Sequence, residues 1–120
     1  VIRGVRGATT VNSNDAKEIL TNTKLLVEDI IKTNEINPDD VASVLISVTP
    51  DINATFPAKP IRELEGWTYV PVMCMQEIAV PGSLEKCIRV MMTINTSKSQ
   101  PEINHVYHYN AKKLRPDLVK

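Results

Sequence analysis

Aromatic side chains make up only 4% of this chain: one tryptophan, one phenylalanine and three tyrosines. So thin a supply cannot furnish the stacking platforms that hold single-stranded nucleic acid. Net charge is missing as well, since 14 basic residues balance 14 acidic ones, and no overall field draws the chain toward nucleic acid or anionic lipid. No apolar run approaches the roughly 18 residues of a membrane span, and no basic start leads into the apolar core of a signal peptide. Cysteine and histidine number two each. Cys74 and Cys87 stand apart in apolar runs, and His105 and His108 add only a weak motif, so zinc-type ligand spacing is absent. The expectation is a reducing, cytoplasmic setting with no metal, no nucleic acid and no membrane partner.

What is present is arginine in unusual places. Of five arginines, Arg3, Arg6 and Arg89 fall inside β-type runs, while Arg62 and Arg115 lie beside proline-rich turns. Arg89 sits in the middle of Cys87-Ile88-Arg89-Val90-Met91-Met92-Thr93-Ile94, which reads as a buried strand. An unpaired buried charge costs several kcal/mol, roughly, before compensation, so such a guanidinium calls for an anion. Arginine's planar five-donor fork suits carboxylate or phosphate better than the ammonium of lysine does. The lysines, in contrast, gather on the first helix and the tails. A small anionic ligand is the inference.

At 120 residues and 42% apolar composition the chain makes a single domain, residues 1–120, with a modest core. Residues 1–11 read as a strand with Ile2, Gly4 and Arg6 on one face and Val1, Arg3 and Val5 on the other. Asp15 and Glu18 fit a capping box ahead of Ile19, Leu20, Leu26, Val27, Ile30 and Ile31, predicting a helix over 15–33. Asn37-Pro38-Asp39-Asp40 reads as a capped turn that feeds a strand over 41–49. A short helix should start at Pro60 and end at Gly66 as its C′ residue. Further strands are expected over 69–76, 86–95 and 104–109, followed by a loosely held tail from Lys112. This is an α+β chain: a five-stranded sheet with one long and one short helix on one face. The other face needs a cover that so short a chain cannot supply, which points to oligomerisation through the sheet.

The residues alone leave several roles open. Glu77 is either an ion-pair partner for Arg6 or Arg89, or an acceptor facing a ligand. Cys74 has no neighbouring imidazole in sequence and reads first as a small buried hydrophobe. Arg3 opposes Arg6 in parity and reads as structural. Tyr107 serves equally as a core or interface residue, and Lys59 and Arg62 as a solvated helix face. Arg3-Gly4-Val5-Arg6-Gly7 matches neither a Walker loop nor a dinucleotide fingerprint.

Taken in order, the segments resemble the monofunctional bacterial chorismate mutases of the trimeric, barrel-like class. The resemblance rests on Arg3-Gly4-Val5-Arg6-Gly7-Ala8-Thr9-Thr10, Thr49-Pro50-Asp51 leading to Phe56-Pro57-Ala58-Lys59, Gly66-Trp67-Thr68-Tyr69-Val70-Pro71-Val72, Cys74-Met75-Gln76-Glu77, Cys87-Ile88-Arg89-Val90-Met91-Met92, and His105-Val106-Tyr107 followed by Leu114-Arg115-Pro116-Asp117-Leu118. It implies a homotrimeric pseudo-barrel with sites between subunits, no cofactor, and conversion of the dicarboxylate chorismate to prephenate on the route to phenylalanine and tyrosine. Carried onto matching positions, Arg6 and Tyr107 would bind carboxylate, and Arg89 would contact carboxylate and ether oxygen. Cys74 and Glu77 would address the ring hydroxyl. Phe56, Ala58, Lys59 and Arg62 would come from the neighbouring subunit, and Leu114 and Arg115 from a closing tail. Two positions depart from the family pattern: Met73 replaces a common threonine in the substrate-binding set, and Pro60 a typical alanine beside Lys59. Two other readings remain: a trimeric α+β enzyme that hydrolyses imines, and a module that senses a dicarboxylate without turning it over.

Overall fold

The computed structural model describes residues 1–118; Val119 and Lys120 lie outside the described residues. Helix α1 runs Ala16–Asn34, shifted by one residue toward the C-terminus from the expected span. Asp15 caps it by accepting from the Glu18 N–H at 3.0 Å. The reciprocal half of the box closes elsewhere: Glu18 accepts from the Asn12 and Ser13 N–H groups at 2.8 and 3.1 Å, and the Asn12 bond chiefly holds its pKa below the usual range. Ile19, Leu26, Val27 and Ile30 form the helix's buried stripe, at the 3.6-residue spacing that an amphipathic helix requires.

That stripe lies on a mixed sheet of β1 (Ile2–Thr10), β2 (Val41–Val48), β3 (Val72–Gln76), β4 (Cys87–Asn95) and β5 (Val106–Tyr107). The order is β3-β2-β4-β1-β5. Central β4 is antiparallel to β1 and β2, while β3 and β5 run parallel to their neighbours. Val5, Val44, Ile46, Ile88, Val90, Met92 and Ile94 join the α1 stripe in one core. A Cβ at Gly7 would collide with the side chain of Ile30, so the missing side chain is what lets α1 lie against β1.

The helix covers one face of the sheet only, which corrects the reading of Arg89. Ile88, Val90 and Met92 point under the helix, whereas Arg89 and Met91 point away from it, and the Arg89 side chain is 44% exposed. The run looked fully buried because Met91 is apolar although it lies on the uncovered face. Arg3 has the parity opposed to Arg6, as expected, and its Nε donates to the Lys98 carbonyl at 3.1 Å, a structural role.

Other boundaries moved for local reasons. β3 begins at Val72 rather than residue 69, because Trp67 and Val70 donate backwards to Leu64 and Trp67 in successive turns and Pro71 has no N–H for a ladder. The short helix α2 is Lys59–Arg62 with Pro60 in its first turn and Glu63 as C-cap; Gly66, at φ 85°, serves the turn that follows instead. β5 is two residues long. Ahead of it, Asn104 is held by Asn34, whose side chain accepts from its N–H and donates to its carbonyl. After it, Tyr109 at φ 52° opens a 3-10 turn over Tyr109–Lys113. The tail is therefore docked, not loose: Ala111 is fully buried with Ala8, Cys87 and Tyr107, and Leu84, Leu114 and Leu118 pack around them.

Candidate active site

Strand alternation delivers Arg6 and Ala8 from β1, Arg89 and Met91 from β4, Leu45 and Ser47 from β2, and Met75 from β3 to the face that α1 leaves uncovered. Register then sets neighbours: Arg89 lies between Ala8 and Ser47, and Met91 between Arg6 and Leu45. Together with Tyr107, Leu114 and Arg115 these residues line a cleft of about 610 Å³. Among the described residues, its lining holds three arginines and no carboxylate.

Each cation has its own support. The Arg6 N–H donates to His105 Nδ1 at 3.0 Å, so the imidazole fills the ladder position that the short β5 leaves open. Arg89 Nε lies 3.6 Å from Glu77 Oε2, and the same oxygen accepts from Ser47 Oγ at 2.8 Å. Arg89 also borders the buried Cys87 thiol. Burial pushes that thiol's pKa up, and the charge and hydrogen bond of Arg89 only partly oppose it. Cys87 is anchored in turn by its N–H, which donates to Thr49 Oγ1 at 2.9 Å, while Thr49 donates to Asp51. In the tail, Arg115 grips Asp117 with two parallel bonds of 3.0 and 2.8 Å, and this pairing lowers the Asp117 pKa.

A second hollow of about 700 Å³ lies beyond β3, with Phe56, Pro57, Cys74 and Gln76 in its wall. Phe56 is 75% exposed there. Burial raises the Cys74 pKa, against a hydrogen bond from the Ala58 N–H and the charge of Arg62. Both cysteines are therefore neutral thiols at pH 7, poor nucleophiles by the measure of thiolate supply. Met75 borders both hollows.

The expected site residues thus fall into two groups. Arg6, Arg89, Tyr107, Leu114 and Arg115 share the first cleft, and Glu77 joins through Arg89 and Ser47. Phe56 and Cys74 line the second hollow, with Ala58 and Arg62 beside the thiol. Ala58 is fully buried. Lys59 borders a small groove with Leu20, Lys24 and Glu63 instead, and Met73 is 64% exposed near the sheet edge. Cys74 lines the second hollow, whereas Glu77 is held beside Arg89 and Ser47.

Sequence reading missed Leu45, Ser47, Met75 and Met91 as cleft residues. Ser47 had a signal, being a lone polar residue between Ile46 and Val48 in an apolar strand.

Comparison with known proteins agrees with the resemblance. The chain is 57% identical to chorismate mutase AroH of Bacillus subtilis (strain 168) over 118 residues, which span 98% of this chain and 93% of that protein. It is 38% identical to chorismate mutase AroH of Thermus thermophilus, over 98% and 97% of the two chains. The solved structure of a chorismate mutase from Clostridium thermocellum superposes with a TM-score of 0.89 at 49% identity, covering 92% of this chain and 98% of that one. Residues 2–118 match the family described as chorismate mutase type I, and with that match the chain belongs to this family of isomerases.

Proposed function

We propose that the chain converts chorismate to prephenate in one unimolecular pericyclic step, at sites assembled between the subunits of a homotrimer. The observation that carries this reading is the cleft lined by Arg6, Arg89 and Arg115 with no lining carboxylate. Such a surface fits a substrate with two carboxylates. Gripping both at a fixed separation folds the enolpyruvyl arm over the ring, which supplies the orientation a unimolecular rearrangement needs.

As the ether C–O bond breaks and the new carbon–carbon bond forms, electron density gathers on the ether oxygen. Arg89 is a positioned donor for that charge and acts on the transition state more than on bound substrate. Arg6 and Tyr107 hold a carboxylate, and Arg115 closes over the mouth. Glu77 offsets positive character on the ring as the oxygen departs and accepts from the ring hydroxyl. No electron pair or proton has to pass to the protein, in keeping with cysteines held as thiols.

The separation of the Phe56–Cys74 hollow from the arginine cleft supports an intersubunit site, in which Phe56, Ala58, Lys59, Arg62, Met73 and Cys74 of one copy complete the cleft of the next. The apolar Leu45, Met75 and Met91 on the uncovered face favour burial by other copies. The test is to mix purified chain with chorismate, adding nothing else, and to follow the substrate's absorbance. It should decay to prephenate at a rate proportional to protein; an unchanged trace rejects the reading. Sedimentation should give three chains per particle, and a monomer that still turns over would reject the shared site.

A further inference from the structure

Glu77 follows the last residue of β3, and its N–H donates to the Val48 carbonyl at 2.8 Å. Its backbone is thus tied to the end of β2, but its side chain needs a separate restraint. Two groups meet the carboxylate at Oε2. Arg89 Nε lies at 3.6 Å, an ion-pair distance too long for a hydrogen bond. Ser47 Oγ lies at 2.8 Å, within the range of a hydroxyl donating to a carboxylate. The hydroxyl, not the guanidinium, fixes this carboxylate.

The placement of Ser47 follows from register. It is the Cα partner of Arg89 on β4 and of Met75 on β3, so it forms the floor between the cation and the strand that leads to Glu77. With Oε2 held by the hydroxyl, the other carboxylate oxygen is left to face a ligand. The same bond keeps Glu77 from closing to hydrogen-bond contact with Arg89, which would tie up the guanidinium by an internal anion.

We infer that Ser47 is a positioning residue for the reaction: its hydroxyl orients Glu77 toward the substrate ring and holds it off Arg89. This rests on the roles given to Glu77 and Arg89 above. The experiment compares the kinetics of Ser47→Ala, Ser47→Thr, Glu77→Gln and the double variant Ser47→Ala with Glu77→Gln, on full-length chains with matched melting temperatures. Ser47→Ala should lower kcat about tenfold, the effect of losing one bond to a charged group, with KM changed by less than about twofold. Ser47→Thr, which keeps a hydroxyl, should recover most of the loss. In the Glu77→Gln background, Ser47→Ala should change kcat by less than about twofold, because the interaction it serves is already weakened. Losses that multiply in the double variant overturn the inference, as does native kcat in Ser47→Ala. A KM that rises equally in both backgrounds also overturns it, by marking the hydroxyl as a direct substrate contact. Native kcat in Glu77→Gln instead rejects the role of Glu77 itself, a result that leaves the arginine reading standing.

Discussion

The face of the sheet beneath α1 and the face turned away from it come from the same five strands in strict alternation, yet they are filled on opposite terms. Beneath the helix, Val5, Ile46, Ile88 and Met92 meet Ile19, Leu26 and Ile30 with no charged residue in the cluster. The Thr9 and Thr23 hydroxyls are buried there without a hydrogen-bond partner among the described residues. On the other face, Arg6, Arg89 and Ser47 stand among Leu45, Met75 and Met91 around an open cleft. One face holds the fold together by close packing, and the other stays open, with cations set among apolar side chains. The division of labour is made within each strand, one residue at a time.

Four measurements break or sharpen that contrast. The largest effect is expected from Arg89→Lys, which keeps the charge but loses the planar fork. Turnover should fall about 10²–10³-fold, or roughly 2.7–4 kcal/mol of barrier, by analogy with loss of one oxyanion donor. The melting temperature should barely move, since the side chain lies on the uncovered face; near-native turnover would remove Arg89 from the mechanism. Leu26→Ala is its mirror image. It should cost about 3 kcal/mol of stability through the cavity it leaves, while kcat at low temperature stays native; denaturant titration and kinetics together check both halves.

Met91→Glu comes next and probes what covers the open face. It should weaken association by about tenfold, because an added carboxylate would be desolvated in an interface; unchanged sedimentation would show that this part of the sheet meets water. The smallest effect concerns pH. Burial raises the folded-state pKa of Cys87 above the ordinary thiol value of 9.0, so as pH climbs past that point the unfolded chain loses its proton first. The folded state then binds more protons, and stability declines with rising pH after being fully present below. Cys87→Ala should flatten the fall in melting temperature above about pH 9; an equal slope in both proteins would rule out this contribution.

Much of the architecture was legible in residue order. The periodicity of Ile19, Leu26, Val27 and Ile30 located α1 to within one residue at each end, and the apolar run around Arg89 located β4. What misled was Met91: an apolar residue on an uncovered face cannot be told from a core residue until the number of helix layers is known. The start of β3 was shifted by the local turns ahead of Pro71, and the extent of β5 was hidden because it depends on remote partners. Asn34 holds Asn104 across the fold, and His105 supplies with its ring the acceptor that a longer strand would have supplied with its backbone. Arg6 and Arg89 were readable as strand cations in apolar runs; in the fold Arg89 faces Glu77, and Arg115, off the strands, pairs with Asp117. The separation of these arginines from Phe56 and Cys74 was not readable, because it depends on the third dimension: β3 lies at one margin of the sheet and β5 at the other.

That strand order has a kinetic consequence. β4 is laddered on both flanks, so the amide of Arg89 should exchange with solvent deuterium only when the whole molecule opens, while margins held on a single side fray sooner. On warming, Tyr107 and Met75 should drift out of place before Arg89 does. Heat would then first blur the proposed grip on the ligand and only later displace the guanidinium proposed to meet the ether oxygen.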